Sequence, residues 1–337
     1  MSMKTKGLIV SLISFAITFL SLLLFVEILV RAKPALAESE WIEKLLFTEY
    51  AEPLVVYPVN DVWTPPTWYP EQAKDELWNL AALDDPSLDK KGPKLRSRSA
   101  FVFDLDRGEV LFEKNADTRW PVASLTKVVS SLALASLGGD LDEKVCLDRT
   151  IYASFPGAVT RFNADSCPTG WDLLGAAMVN SDNGGAFGLA HVAKVPHGPF
   201  VQQMNSVAAD LGMSSSEFVD PAGVNDENLS TARDITRAII AAAHHPVISA
   251  VASAPHWDAA VGKSGTKRRL YSTNRFIHNP YMDFRAAKTG YTYTARNCYT
   301  AVVQRNGRTL AVTTLGSFWS KDRWADVKKL LDWSLKQ

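Results

Sequence analysis

Cysteine and histidine are scarce in this chain of 337 residues, with three of the first and six of the second. The cysteines (Cys146, Cys167 and Cys298) form no Cys-x-x-Cys pair, and no histidine joins them at metal-ligand spacing. Neither a metal nor a cofactor is therefore expected. There is no Gly-x-Ser-x-Gly stretch, and His191, His197, His244, His245, His256 and His278 stand outside every motif described below. That pattern disfavours a Ser-His-Asp hydrolase of the nucleophile-elbow type. An excess of either charge is missing too, with 36 Lys plus Arg against 36 Asp plus Glu, so nucleic acid is not an expected partner. Apolar residues are plentiful at 47%, ample for the core of one large or two modest domains.

The longest uncharged stretch, residues 7–26, follows Lys4 and Lys6 and is about long enough to cross a bilayer as a helix. It reads as an export signal. Ala35-Leu36-Ala37 offers a small-x-small cleavage site, yet the run exceeds the ~7–15-residue core of a cleaved signal. The expectation for residues 1–37 is a signal sequence or an uncleaved membrane anchor, with the rest of the chain outside the cytoplasm. Outside the cytoplasm, Cys146 and Cys167 can close a short loop as a disulfide, and both the bonded and the free state fit the sequence. Cys298, in an apolar strand-like run, reads as a buried free thiol.

Residues 38–96 are dense in proline and carry Trp41, Trp63, Trp68 and Trp78. The prolines exclude one continuous helix or a central strand, and the tryptophans argue against a purely disordered spacer. Two readings remain: an arm docking its aromatics on the domain or on a partner, or a stalk with a short helix around 72–82. Lys90, Lys91, Lys94, Arg96 and Arg98 close the segment as a solvated linker.

The compact domain begins near residue 97. Residues 100–105 and 109–114 read as a hairpin turning at Asp106-Arg107-Gly108. A helix follows from near Ser124 to the pair Gly138-Gly139, with Val128, Leu132 and Ala135 on its apolar face. Irregular structure is expected over 140–170 and several helices over 171–193 and 200–252, with Asp220-Pro-Ala-Gly223 as a turn and Thr231 as a cap. After Tyr281 three antiparallel strands follow, the last two joined at Asn306-Gly307, and then a closing helix from about Asp322 to Leu335. Strands at both ends with helices between them predict an α+β fold: one antiparallel sheet flanked by helices, with a helical subdomain.

Three short motifs fall on this layout. Ser124-Leu-Thr-Lys127 opens a helix, Ser181-Asp182-Asn183 lies between helices, and Lys288-Thr289-Gly290 is expected at a strand start. Singly each is weak. In this order and these contexts they match the Ser-x-x-Lys, Ser-x-Asn and Lys-Thr-Gly set of penicillin-binding proteins and class A β-lactamases. Over about residues 97–335 the chain resembles the low-molecular-mass penicillin-binding proteins, the serine D-Ala-D-Ala carboxypeptidase and endopeptidase family, also at Phe218-Val-Asp-Pro-Ala-Gly, Ser230-Thr-Ala-Arg-Asp and Ala287-Lys-Thr-Gly-Tyr-Thr. Asp182 departs from the Gly or Ala commoner there.

The resemblance implies a β-lactamase/transpeptidase-like fold and an acyl-enzyme on Ser124, with Lys127 as its base. Burial would help keep Lys127 neutral. It implies proton relay and substrate contacts by Ser181 and Asn183, an oxyanion hole from the backbone N–H groups of Ser124 and Tyr291, and binding of the terminal carboxylate by Thr289 and Arg323, with Lys288 and Gly290 beside them. The implied partners are peptidoglycan stem peptides, β-lactam antibiotics as covalent inhibitors, and the membrane through the N-terminal segment. Two rivals share parts of this pattern. A class A-like β-lactamase needs a deacylation base, and no Glu-x-x-Leu-Asn stretch follows Ser181. A non-catalytic peptidoglycan-binding scaffold has no need of intact Ser124, Lys127 and Lys288.

Overall fold

The computed structural model describes residues 78–85, 92–146, 159–163, 166–262 and 265–337. The N-terminal run 7–26 and the arm as far as residue 77 lie outside them. No single helix among the described residues is long and apolar enough to cross a membrane.

Five antiparallel strands make the main sheet, in the order β2-β1-β9-β8-β7. They are β1 (Ser99–Asp104), β2 (Glu109–Lys114), β7 (Asp283–Thr292), β8 (Arg296–Arg305) and β9 (Arg308–Ser317). Strand β1, from the front of the domain, pairs Phe101 with Thr313 of β9, so both ends of the domain close one sheet, as predicted. Both faces of β1 are buried: Phe101 and Phe103 enter one apolar cluster, Ala100 and Val102 the other. Asn306 and Gly307 take φ of 52° and 75° between β8 and β9, the left-handed pair that suits a two-residue hairpin.

Helix α7 (Ser320–Ser334) covers one face through Trp324, Val327, Leu330 and Leu331. Trp333 of the same helix is only partly buried and meets Phe112 edge-on. The other face carries α5 (Ala232–His244), capped by Thr231 as expected, with Ile235 and Ile239 buried. Beyond it lie α1 (Thr126–Leu137), α2 (Gly170–Val179), α3 (Asn183–Val192), α4 (His197–Asp210) and α6 (Pro246–Ala252). Gly138 ends α1 with a left-handed φ of 73°. Two short pairings complete the fold: β3 (Trp120–Pro121) with β4 (Leu229–Ser230), and the hairpin of β5 (His256–Ala260) and β6 (Lys267–Tyr271). A disulfide joins Cys146 to Cys167, and Cys298 is a buried free thiol.

Four expectations need correction. The β5–β6 hairpin was not foreseen, because Lys267-Arg-Arg reads as solvated charge and the strands lack alternation. Turns rather than helix fill 211–228, beginning at Gly212 with φ 71°. Lys288-Thr289-Gly290 lies in the second half of β7, not at its start, because the register break between Phe284 and Ala286 obscures where the strand begins. The basic linker is in part structural: Arg96 pairs with Asp322 at 2.8 Å, and Arg98 lies 4.0 Å over the Trp120 ring.

The described end of the arm is a 3-10 helix, Trp78–Asp84, which sinks Leu80 and Leu83 fully into the core. Arg237 of α5 donates to the Leu80 carbonyl at 2.8 Å and to Asp84, and Arg233 donates to the Leu83 carbonyl. This end docks through its leucines.

Candidate active site

A 3-10 turn, Ala123–Leu125, runs straight into α1 and sets Ser124 one turn ahead of Lys127. Ala123 takes a φ of +48°, rare for a residue with a Cβ. The loop opposite allows this: a Cβ on Gly223 would come 1.9 Å from the Ala123 carbonyl oxygen, so only glycine fits. Lys127 lies in the first turn of α1 with no exposed surface.

The Lys127 Nζ meets three oxygens: Ser124 Oγ at 2.8 Å, Asn183 Oδ1 at 2.8 Å and the Ala222 carbonyl at 2.7 Å. Burial pushes this amine down to about 7, against the pull of Asp220 and Asp182, whose negative charges favour its protonation. A neutral amine has two N–H groups and one lone pair. The Asn183 and Ala222 oxygens can only accept, so they take the two N–H groups. The lone pair is left facing the Ser124 hydroxyl, the one partner with a proton to give. This is the geometry of a nucleophile with its base.

Ser181 sits between α2 and α3 at φ +63°, and its Oγ accepts from Lys288 Nζ at 2.8 Å. Asp182 hydrogen-bonds neither lysine. Its carboxylate caps α3 through Gly185 N at 2.8 Å and accepts from Thr160 Oγ1 and Arg161 N. Burial raises its affinity for a proton. The departure at this position is therefore a helix cap that also pins residues 159–161 beside the cleft. With Asn183 Oδ1 taken by Lys127, its amide N–H₂ makes no hydrogen bond to the described residues and is available to a carbonyl oxygen.

Strand β7 brings the third motif alongside. Lys288 is buried, and its Nζ also donates to the Thr289 carbonyl at 3.0 Å. Burial first, then the charges of Lys127 and Arg323, hold it well below the ordinary lysine value. Thr289 Oγ1 donates to Thr273 Oγ1 at 2.6 Å. A Cβ on Gly290 would come 2.9 Å from the Val122 carbonyl oxygen and 3.3 Å from Ser124 N, so the strand runs hard against the turn that carries the serine. Tyr291 follows with its side chain exposed. Arg323 lies inside α7. Its Nη1 donates to the Gly290 and Cys298 carbonyls, both at 3.1 Å, and its guanidinium covers the Trp324 ring at 4.6 Å. Burial lowers it to about 10.

The structure thus gathers Ser124, Lys127, Ser181, Asn183, Lys288, Thr289 and Gly290 in one cleft and anchors Arg323 to the backbone of the same strand. Sequence reasoning missed the Ala222 carbonyl, Asp220 and Thr273. Asp220 accepts from the backbone N–H groups of Ala222, Gly223 and Asn225 and from Asn228 Nδ2, and so shapes the loop that presents the carbonyl. The stretch Asp220-Pro-Ala-Gly was legible as a turn, but nothing in it signals that its carbonyl meets a lysine. For Thr273 no signal existed.

Comparison with known proteins bears on the family and the fold. A family model for D-alanyl-D-alanine carboxypeptidases, peptidase S11, matches residues 87–318. The D-alanyl-D-alanine endopeptidase of Pseudomonas aeruginosa is 30% identical over 240 residues, 71% of this chain and 77% of its own. That of Escherichia coli K12 is 28% identical over 241 residues, 72% of this chain and 78% of its own. Penicillin-binding protein D2 of Listeria monocytogenes, solved in its cefotaxime-bound form, superposes with a TM-score of 0.64 at 26% identity, covering 73% of this chain and all of that one. The sheet of five antiparallel strands, Ser124 with the buried Lys127, and the family match lead to one conclusion: the chain belongs to the D-alanyl-D-alanine carboxypeptidase family, peptidase S11.

Proposed function

We propose that this protein is a serine DD-peptidase that cleaves D-Ala-D-Ala, or the D-Ala cross-link, of peptidoglycan stem peptides. The lone pair of a neutral Lys127, confined to the Ser124 hydroxyl, carries the reading. Ser124 Oγ attacks the carbonyl carbon as its proton passes to Lys127, and the oxyanion is met by the backbone N–H groups of Ser124 and Tyr291. Ser181 accepts from Lys288 and therefore keeps its own O–H to protonate the departing amine, and the proton held by Lys127 replaces the one Ser181 gives up, which returns Lys127 to the neutral form. Water then hydrolyses the ester. The Asn183 amide holds the substrate carbonyl, and the Thr289 hydroxyl takes the terminal carboxylate with the Lys288 amine beside it. Arg323 acts from behind by holding the Gly290 carbonyl, which supports the strand that binds this carboxylate. Relatives bear both carboxypeptidase and endopeptidase names.

The chemistry belongs outside the cytoplasm. The Cys146–Cys167 disulfide suits an oxidising compartment, and residues 1–37 supply the signal or anchor, with 38–96 as the arm between it and the catalytic domain of 97–337. The deciding experiment is intact-mass spectrometry of the full chain after penicillin. A covalent adduct mapped to Ser124, and lost in Ser124→Ala, is expected; a folded protein without an adduct would overturn the reading.

A further inference from the structure

The rib formed by α2 and the β5–β6 hairpin has the cleft at one end and an open cavity at the other. At the cleft end, Asn180 Nδ2 donates to the Tyr271 carbonyl at 3.0 Å, and Thr273 N donates to the Val179 carbonyl just before Ser181. At the far end, the Ala260 N–H donates to Asp172 Oδ1 at 3.1 Å, while the other oxygen of Asp172 takes the Thr169 N–H and hydroxyl. These contacts fix the floor of a cavity of about 540 Å³, within the ~300–1,000 Å³ of small-molecule sites.

Its lining is neither apolar nor merely charged. Trp171 and Trp257 line it with rings stacked at 6.3 Å and 25°. Trp257 lies on the bare face of α2 at Gly175, where a Cβ would come 2.3 Å from the indole. Lys144, Lys267 and Asp258 add charged heads to the same lining. Neither indole N–H has a hydrogen-bond partner among the described residues. Paired indole planes with free N–H donors and flanking ammonium and carboxylate groups match a pyranose ring, which offers an apolar face of C–H bonds and a rim of hydroxyls and acetamides.

We infer that this cavity binds an N-acetylated sugar ring of the glycan strand whose stem peptide reaches Ser124. The inference rests on the DD-peptidase reading. Helix α2 has ten residues and so spans about 15 Å. An extended stem of four to five residues covers roughly 13–18 Å, which matches the length of the rib from Trp171 to the Ser181 end of α2. The peptide thus lies along the rib while the two tryptophans hold its sugar.

The test compares a disaccharide-pentapeptide with the free pentapeptide as substrates of the full-length protein in detergent. Penicillin acylation of Ser124 serves as the control for fold and chemistry. The wild type is expected to show a KM about three- to tenfold lower for the sugar-bearing substrate, an advantage that stem-free glycan competes away. Trp171→Ala should erase the difference while kcat, KM for the free peptide and the acylation rate stay unchanged; Trp171→Phe should restore part of it. Equal KM values in the wild type would overturn the inference, as would an advantage that survives both Trp171→Ala and Trp257→Ala. Should neither substrate be cleaved nor penicillin bound, the DD-peptidase reading fails. Titration of tryptophan fluorescence with stem-free glycan then decides the cavity alone: quenching lost in Trp171→Ala supports it, and no response in the wild type refutes it.

Discussion

The rate of acylation should titrate with Lys127. Its three partners leave the neutral amine one useful direction for its lone pair, toward Ser124, and burial brings its midpoint down from 10.5 to about 7. With that midpoint the neutral fraction is ~9% at pH 6 and ~91% at pH 8, so the acylation rate constant should climb about tenfold across that interval. Stability follows the same direction. The unfolded chain keeps its proton up to the ordinary lysine value, so between about pH 7 and 10.5 it binds more protons than the fold, and the fold gains stability as pH rises through that window. The assay is stopped-flow acylation with a chromogenic cephalosporin from pH 5.5 to 9, with circular dichroism to verify folding at each point. Lys127→Arg serves as the companion, since a guanidinium cannot lose its proton; it should lose about 10²–10⁴ in acylation rate. A profile flat between pH 6 and 8, or an active arginine variant, would refute the assignment of Lys127 as the base.

Other perturbations test the scaffold of the site. Gly290→Ala should lower acylation at least about tenfold with little loss of fold, because its Cβ pushes β7 off the Val122–Ser124 turn; penicillin kinetics beside a melting curve separate the two effects. Asp220→Ala removes the acceptor of three buried donors, the N–H groups of Ala222 and Gly223 and Asn228 Nδ2, and should cost at least about 3 kcal/mol in urea unfolding. Reducing Cys146–Cys167, which lie 21 residues apart, should lower stability by about 3 kcal/mol if loop closure dominates; calorimetry with and without reductant measures it. In the same reduced sample, Cys298 should stay silent to a thiol reagent until the protein unfolds.

Much of the architecture was legible because local and long-range signals agreed. The left-handed pair at Asn306-Gly307, the glycine stop at Gly138 and the cap at Thr231 each obey a rule that acts within four residues. Three triplets spread over the chain announced the cleft, since the chemistry needs those side chains whatever the packing. What stayed hidden was made by backbone or by tertiary contact. The Ala222 carbonyl has no side-chain signature. Thr273 matters only because β6 ends beside β7, and the β5–β6 hairpin is held by Trp257 resting on Gly175, a contact that appears only once both elements exist. Asp182 shows the converse: an unexpected letter in a motif has a plain role as the cap of α3.

Two of the positions that break local rules lie at the cleft. Asn115 and Asn306 are of the type that tolerates positive φ; Ala123, Ser181, Lys194 and Arg296 are not, and the first two flank or belong to the catalytic groups. Strain of this kind costs of order 1–3 kcal/mol per residue and survives only where neighbours over-determine the backbone. Those neighbours can be named: the close approach of Gly223 and Gly290 to the serine turn, and the grip of Lys288 on Ser181. Two lysines buried side by side add a second cost, because burial disfavours the charge on each. The same burial makes Lys127 a base near neutral pH. Relieving either cost, by exposing the amine or relaxing the turn, would stabilise the fold and disable the site, so strain and buried charge here are what the chemistry requires.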